Sequence, residues 1–255
     1  MLTYETLAGQ LQIVVCSRAR IPSCKHVLTL LPASAKICVY ESESEAYGAE
    51  FGVDRLLICQ DEKASQPAKA AWVQQHVHSM GVIFVDDDVK CCWCLVGRKP
   101  RRIDDPASVG RILMGTAWLA YEAGVSCFSY SPTTNPLKFH QFDPLGMDRV
   151  AGPVVGIIGR KVLFDEQLPA LGDVDLNLTA LLQDRWAIQD RRYAFETSEV
   201  ATGGSSNMRT ADKIAESKSM LAKKWGGTGK NWESRISRGG DESVVVTTER
   251  KQATK

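Results

Sequence analysis

Histidine is scarce in this chain, four in 255 residues, and His26, His76, His78 and His140 show no metal-binding spacing. His76 and His78 lie two apart, which on a helix sends them to different faces. An excess of one charge is also missing: 31 basic against 30 acidic residues leave a net charge of +1. No blanket attraction to nucleic acid or to a membrane follows, so any such binding rests on local patches. No apolar run is long enough to cross a bilayer, and Met1-Leu2-Thr3-Tyr4-Glu5 carries no secretory pattern. A cytoplasmic protein without a membrane partner is therefore expected. Internal repeats are absent too.

Cysteine is plentiful, with eight, but its spacing argues against a framework of disulfides or zinc. Cys16, Cys38 and Cys59 sit inside apolar runs, where a reduced thiol acts as a small hydrophobe. Without a secretory signal, disulfides are not expected. Cys91-Cys92-Trp93-Cys94 lacks the second ligand pair of a zinc ribbon or finger. It reads as thiols on a strand or turn.

What is present is an alternation of strands and helices. Leu11 to Cys16, Lys36 to Tyr40, Arg55 to Cys59 and Val82 to Val85 are short apolar runs that read as strands. A helix starting near Pro22 and running to Leu31, and another from Pro67 to His78, lie between them. This order predicts an α/β domain with a mixed, mostly parallel, Rossmann-like sheet flanked by helices. Further on, Pro106 to Ala123 reads as a helix closed by Gly124, and Val125 to Tyr130 as a strand. Val154 to Ile158 reads as a strand that pairs with Lys161 to Phe164 in a hairpin, and Leu176 to Asp190 as a helix. Thr197 to Thr210 is a Ser/Thr/Gly-rich loop, Ala211 to Trp225 an amphipathic helix, and Gly226 to Lys255 a tail expected to be poorly ordered.

The sharpest feature is Val82-Ile83-Phe84-Val85-Asp86-Asp87-Asp88-Val89. A buried strand explains the apolar half. Three adjacent carboxylates repel one another, and a hard divalent cation, Mn²⁺ or Mg²⁺, relieves that repulsion with oxygen ligands. Asp88 and Asp86 are the candidate metal ligands, with Asp86 or Asp87 on the donor side at a ribose hydroxyl. Ser17, Arg18 and Arg20 end the first strand, where a hydroxyl and two guanidinium groups suit a nucleotide. They also suit a helix cap with solvated arginines. Glu41 ends the second strand, and Lys69 either reaches phosphates or faces water. In such sheets the functional groups gather at the carboxyl ends of strands. Asp173 and Asp175 either cap a helix or take a proton from an acceptor hydroxyl. Gly203, Gly204, Asn207 and Arg209 sit in a stretch that reads as a lid over a diphosphate or as a linker. Arg98, Lys99, Arg101 and Arg102 form a basic loop suited to nucleic-acid phosphate or simply to water.

Taken in order, several segments resemble the GT-A-fold glycosyltransferases, most closely the phage family associated with ten-eleven translocation dioxygenases. The matching residues are Ser17-Arg18-Ala19-Arg20, Val39-Tyr40-Glu41, Glu45-Ala46-Tyr47, Lys69-Ala70-Ala71-Trp72-Val73 and Ile83 to Val89. They continue through Gly152-Pro153-Val154-Val155-Gly156, Asp173-Val174-Asp175-Leu176-Asn177-Leu178, Arg192-Tyr193-Ala194-Phe195, Gly203-Gly204 and Lys224-Trp225-Gly226, over about residues 10 to 226. The resemblance implies a metal-dependent enzyme that moves a sugar from a UDP-sugar to 5-hydroxymethylcytosine in phage DNA, in the host cytoplasm. It places Ser17, Arg18, Arg20, Glu41 and Lys69 around the nucleotide, Asp86 and Asp88 at the metal, and Asp173 or Asp175 at the acceptor. It also implies a transferase domain over 1–196, a loop and helix closing over the donor at 197–226, and a tail at 227–255. Many GT-A enzymes use a late histidine as a further metal ligand, whereas no histidine follows His140 here. Water, donor oxygens or the 203–209 loop fill that place. A sugar-phosphate nucleotidyltransferase and a non-enzymatic DNA-binding module are the alternatives. The sugar, the anomeric outcome and the oligomeric state stay open.

Overall fold

Ten elements of the N-terminal half follow from their caps and their apolar periodicity. In chain order they are α1 (Tyr4–Gly9), β1 (Leu11–Cys16), α2 (Ile21–Leu30), β2 (Lys36–Tyr40), α3 (Ser44–Phe51), β3 (Leu56–Cys59), α4 (Gln66–His76), β4 (Gly81–Asp86), β5 (Val89–Cys94) and β6 (Arg101–Ile103). The second half contains α5 (Pro106–Glu122), β7 (Cys127–Ser131), β8 (Leu145–Gly146), β9 (Val154–Ile158), α6 (Gly172–Asp184), β10 (Ile188–Thr197) and α7 (Ala211–Trp225). Beyond it, β11 (Trp232–Ile236) and β12 (Glu242–Val246) pair antiparallel with each other. The structure is a computed structural model that describes residues 2–62, 65–97, 99–139, 142–147, 149–198 and 210–225, with the backbone of 232–236 and 242–246. The 203–209 stretch and Arg98 lie outside the described residues.

The helix starts are written in the sequence. Ser65 accepts a hydrogen bond from the Ala68 N–H at the head of α4, and Asp105 accepts one from the Ser108 N–H at the head of α5. Each is followed by a proline in the first turn, where a missing N–H is harmless.

The main sheet runs β3-β2-β1-β4-β9-β7-β10-β5-β6, with β8 beside β10. Its first four strands are parallel. Strand β9 then runs antiparallel between β4 and β7. Connections diverge between β1 and β4, which opens a crevice outside their carboxyl ends. Register levels β1 with β4, Cys16 lying opposite Asp86, while β2 runs from Cys38, opposite Cys16, two residues further to Tyr40.

Alternation along β1 builds two cores. Ile13 and Val15 pack with α2 and α5 on one face, while Val14 packs with Val73 of α4 on the other. Leu176 and Ala180 of α6 cover β9 through Val155 and Ile157. Leu221 of α7 is fully buried against Leu168, Val174 and Leu178.

Glu41 directly follows β2, as expected, and a short 3₁₀ turn over Glu41–Glu43 leads into α3. Three sequence expectations need correction. The hairpin from Val154 to Phe164 does not form, because β9 takes β4 and β7 as partners. The helix expected over Leu176 to Asp190 begins at Gly172 and stops at Asp184, where Arg185 turns left-handed at φ 70°, and β10 follows. Arg101 and Arg102 are not in a loop but on β6, the edge strand beside β5.

Candidate active site

The carboxyl ends of β1, β2 and β4 deliver Ser17, Arg18, Arg20, Tyr40 and the three aspartates to one cleft, floored by Cys16, Gln66 and Lys69. A larger adjoining cleft of about 1500 Å³, open to solvent, shares Cys16, Arg20, Gln66, Asp86 and Asp88. It continues along Gly152, Pro153, Phe164 and Gly172 to Asp173. Such adjoining spaces suit a nucleotide and the group it carries.

The three aspartates have different fates. Asp87 is buried, 5% exposed. Its Oδ2 accepts from Ser17 Oγ at 2.8 Å and its Oδ1 from Arg20 Nη1 at 3.0 Å. Because the Ser17 proton goes to Asp87, the Tyr47 hydroxyl donates to Ser17 Oγ at 2.7 Å. Tyr47 in turn accepts from the Arg20 N–H at 3.0 Å. Asp87 lines the cleft, and these bonds tie its carboxylate into the scaffold. It fixes Arg20, which also reaches Asp88 Oδ2 at 3.4 Å.

Asp86 and Asp88 face the crevice and are short of partners. The contact to Asp86 is a long one, from Gln66 Nε2 at 3.5 Å. Asp88 Oδ1 is buried and makes no hydrogen bond among the described residues. Burial holds the Asp86 carboxyl well above its usual range, and the charges of Asp88, Asp87, Cys16 and Asp173 push the same way. Burial and Asp87 likewise raise Asp88, against the opposing pull of Arg20. Both carboxylates sit where a positive charge is wanted.

Ser17, Arg18, Arg20, Lys69, Asp86 and Asp88 come together at one cleft, whereas Glu41 and Asp175 do not join them. Lys69 is neither solvated nor extended towards solvent. It is 3% exposed, its Nζ donates to the Ser17 carbonyl at 2.6 Å, and it lies 4.0 Å from the Tyr40 ring centroid. Glu41 is exposed and lines neither cleft. Asp175 is wholly buried and accepts from Lys224 Nζ at 3.0 Å and Trp225 Nε1 at 2.7 Å, so it holds α7 rather than facing an acceptor. Asp173 remains on the cleft wall. Of the basic residues, Lys99, Arg101 and Arg102 are exposed and outside these clefts, and Arg102 pairs with Asp104.

Tyr40 and Tyr47 carry more of the site than the sequence reading gave them. Arg18 lies 4.8 Å from the Tyr40 ring centroid, opposite chemistry to a plain solvated arginine. Tyr40 occupies the last position of β2. Backbone conformation also concentrates here. Ala19, between Arg18 and Arg20, has φ 52°, and Leu171 has φ 58° immediately before α6. Gly172 lets α6 approach α4, since a Cβ there would sit 2.5 Å from Pro67 Cγ.

No family model matches this sequence, nor does any curated protein. Solved structures do match. S. aureus TarS 1–349 in complex with UDP-GlcNAc superposes with TM-score 0.52 at 15% identity, over 84% of this chain and 65% of that one. S. aureus TarS gives TM-score 0.53 at 10% identity, over 84% of this chain and 39% of that one. The chain thus spans less than two thirds of those TarS chains. The fold is GT-A-like. Glucosyl-3-phosphoglycerate synthase from Mycobacterium tuberculosis, in complex with Mn²⁺, UDP and phosphoglyceric acid, is a weaker likeness, with TM-score 0.47 at 10% identity over 97% of this chain and 91% of that one. No helix among the described residues is long and apolar enough to cross a membrane.

Proposed function

We propose that this chain is a metal-dependent glycosyltransferase that moves a hexose or N-acetylhexosamine from a UDP-sugar to a hydroxyl, that of 5-hydroxymethylcytosine in phage DNA. The observation that carries the reading is the pair Asp86 and Asp88, two crevice carboxylates with raised pKa values, one with a buried oxygen lacking any partner. The fold supports a nucleotide donor, and the sequence resemblance supports the DNA acceptor.

The donor set fits Mn²⁺ or Mg²⁺. These cations take oxygen ligands, commonly one or two carboxylates, with the rest from substrate phosphates and water. Among the described residues no group of three or more His, Cys, Asp or Glu gathers to hold a metal alone. When bound at Asp86 and Asp88, the cation supplies charge stabilisation to a diphosphate leaving group.

The chain's own residues do the remainder. Arg18 and Tyr40 form the wall for the nucleotide, while Lys69 braces that wall from below through the Ser17 carbonyl. Arg20 holds Asp87 and Asp88 in fixed positions, so little reorganisation accompanies binding. In an inverting transfer Asp173, exposed on the neighbouring cleft wall, takes the acceptor hydroxyl proton.

The test supplies a panel of nucleotide sugars, Mn²⁺ and a duplex containing 5-hydroxymethylcytosine. Release of UDP with a gain of one sugar on the oligonucleotide is the expected result. Pyrophosphate release from a nucleoside triphosphate and a sugar phosphate would instead assign a nucleotidyltransferase.

A further inference from the structure

Away from the donor crevice, α5, β6 and β10 border a shallow recess of about 610 Å³, open to solvent and lined by Arg101, Arg111 and Arg192. Hydroxyls of Ser108, Thr116 and Tyr193 share its lining, and no carboxylate does. Three separate segments build it. In β10 the register shifts between Asp190 and Ala194, which frees Arg192 and Tyr193 from the β7 ladder. Tyr193 then lies opposite Cys94, and Cys94 opposite Arg101.

The charge is arranged rather than scattered. Asp190 is wholly buried behind the recess and accepts from Arg192 Nε at 2.9 Å and Nη2 at 2.8 Å, and from Thr116 Oγ1 at 3.0 Å. That acid orients one guanidinium and cancels its charge. Arg111 Nη2 donates to Ser108 Oγ at 2.7 Å. Arg101 is exposed and has no acidic partner among the described residues. Two positive charges are left over, in planar forks that match phosphate oxygens.

Position excludes the donor as the source of that phosphate. Strand β5 leads from Val89, next to Asp88, to Cys94 beside the recess. Five extended residues span about 17 Å, and the recess shares no lining residue with either crevice cleft. We propose that the recess grips a backbone phosphate of the acceptor nucleic acid, away from the base that receives the sugar. The proposal rests on the DNA-acceptor reading above.

Fluorescence anisotropy with a duplex of about 20 base pairs, across a salt series and without donor, tests it. The variant is the double Arg101→Gln/Arg111→Gln, because removing Arg192 strands buried Asp190. It is expected to bind about tenfold more weakly at low salt, with the log–log salt slope reduced by about 1. Its melting temperature and its response to UDP and Mn²⁺ are expected to match the wild type, and Lys161→Gln, an exposed charge elsewhere, to leave both affinity and slope unchanged. Equal affinity and slope in the double variant and the wild type overturn the recess assignment. Failure of the wild type to bind duplex at low salt overturns the acceptor reading and the proposal with it. Stabilisation of the wild type alone by inorganic phosphate, with duplex affinity unchanged in the variant, assigns the recess to a free phosphate and overturns the backbone contact.

Discussion

At the scale of single residues, the crevice holds carboxylates in a state that costs stability. A carboxyl whose folded pKa is raised above its unfolded value binds its proton more tightly when folded. Stability is then lost as pH rises from the unfolded value through the folded one, and Asp86 and Asp88 both carry this sign. Asp86→Asn is therefore expected to raise the melting temperature of the metal-free protein at neutral pH, and to abolish the further rise given by Mn²⁺ with UDP. A thermal-shift series at several pH values reads both effects. Arg20 carries the opposite risk: it is 8% exposed and paired with buried Asp87, so Arg20→Ala should cost about 3–5 kcal/mol. Cys16 supplies a chemical probe. It is the half-buried cysteine of the crevice, the other seven being buried. A hydrogen bond from Cys38, with help from Lys69 and against burial, lowers its pKa. Iodoacetamide followed by peptide mass mapping should label Cys16 first, and UDP with Mn²⁺ should protect it.

At the scale of elements, α7 is bound to the domain by an apolar and an ionic contact together. Leu221 is fully buried, and Lys224 bridges Asp165 and Asp175 at 2.8 and 3.0 Å. Leu221→Ala is expected to cost about 2–5 kcal/mol, and Asp175→Ala about 1–3 kcal/mol, both read as lowered urea midpoints. Asp173→Asn separates the two acids of α6. It should lower sugar transfer about 10²–10⁴-fold while leaving the urea midpoint and UDP binding near wild type. Sequence could not divide these roles. Both aspartates lie in the first turn of α6, and the Trp225 that claims Asp175 is 50 positions further on. Strand β10 was hidden for a related reason. Its first residues read as the end of a helix over Leu176 to Asp190, whereas folding buries Asp190 against Arg192 and Thr116. By contrast β1, β2 and β4 were legible, since their apolar runs stop at polar residues where the strands stop.

At the scale of the whole molecule, the crevice follows from topology. Parallel β1 and β4 end level with β2 two residues longer, and connections leave in opposite directions between β1 and β4. Residues from Ser17, Tyr40 and Asp86 thereby meet without any contact that neighbours in sequence would reveal. The acidic run was readable as a site because three carboxylates after an apolar strand have no packing reason; which of them turns inward was decided by Ser17 and Arg20, both bound to Asp87. The account's central claim is that Asp86 and Asp88 hold a divalent cation against a diphosphate. Isothermal titration of UDP into the wild type and Asp88→Ala, each with Mn²⁺ and then with EDTA, tests it most directly. UDP binding that depends on Mn²⁺ in the wild type, and is lost in Asp88→Ala with the fold intact, is the predicted result. Equal UDP affinity with and without Mn²⁺, unchanged by Asp88→Ala, would contradict it.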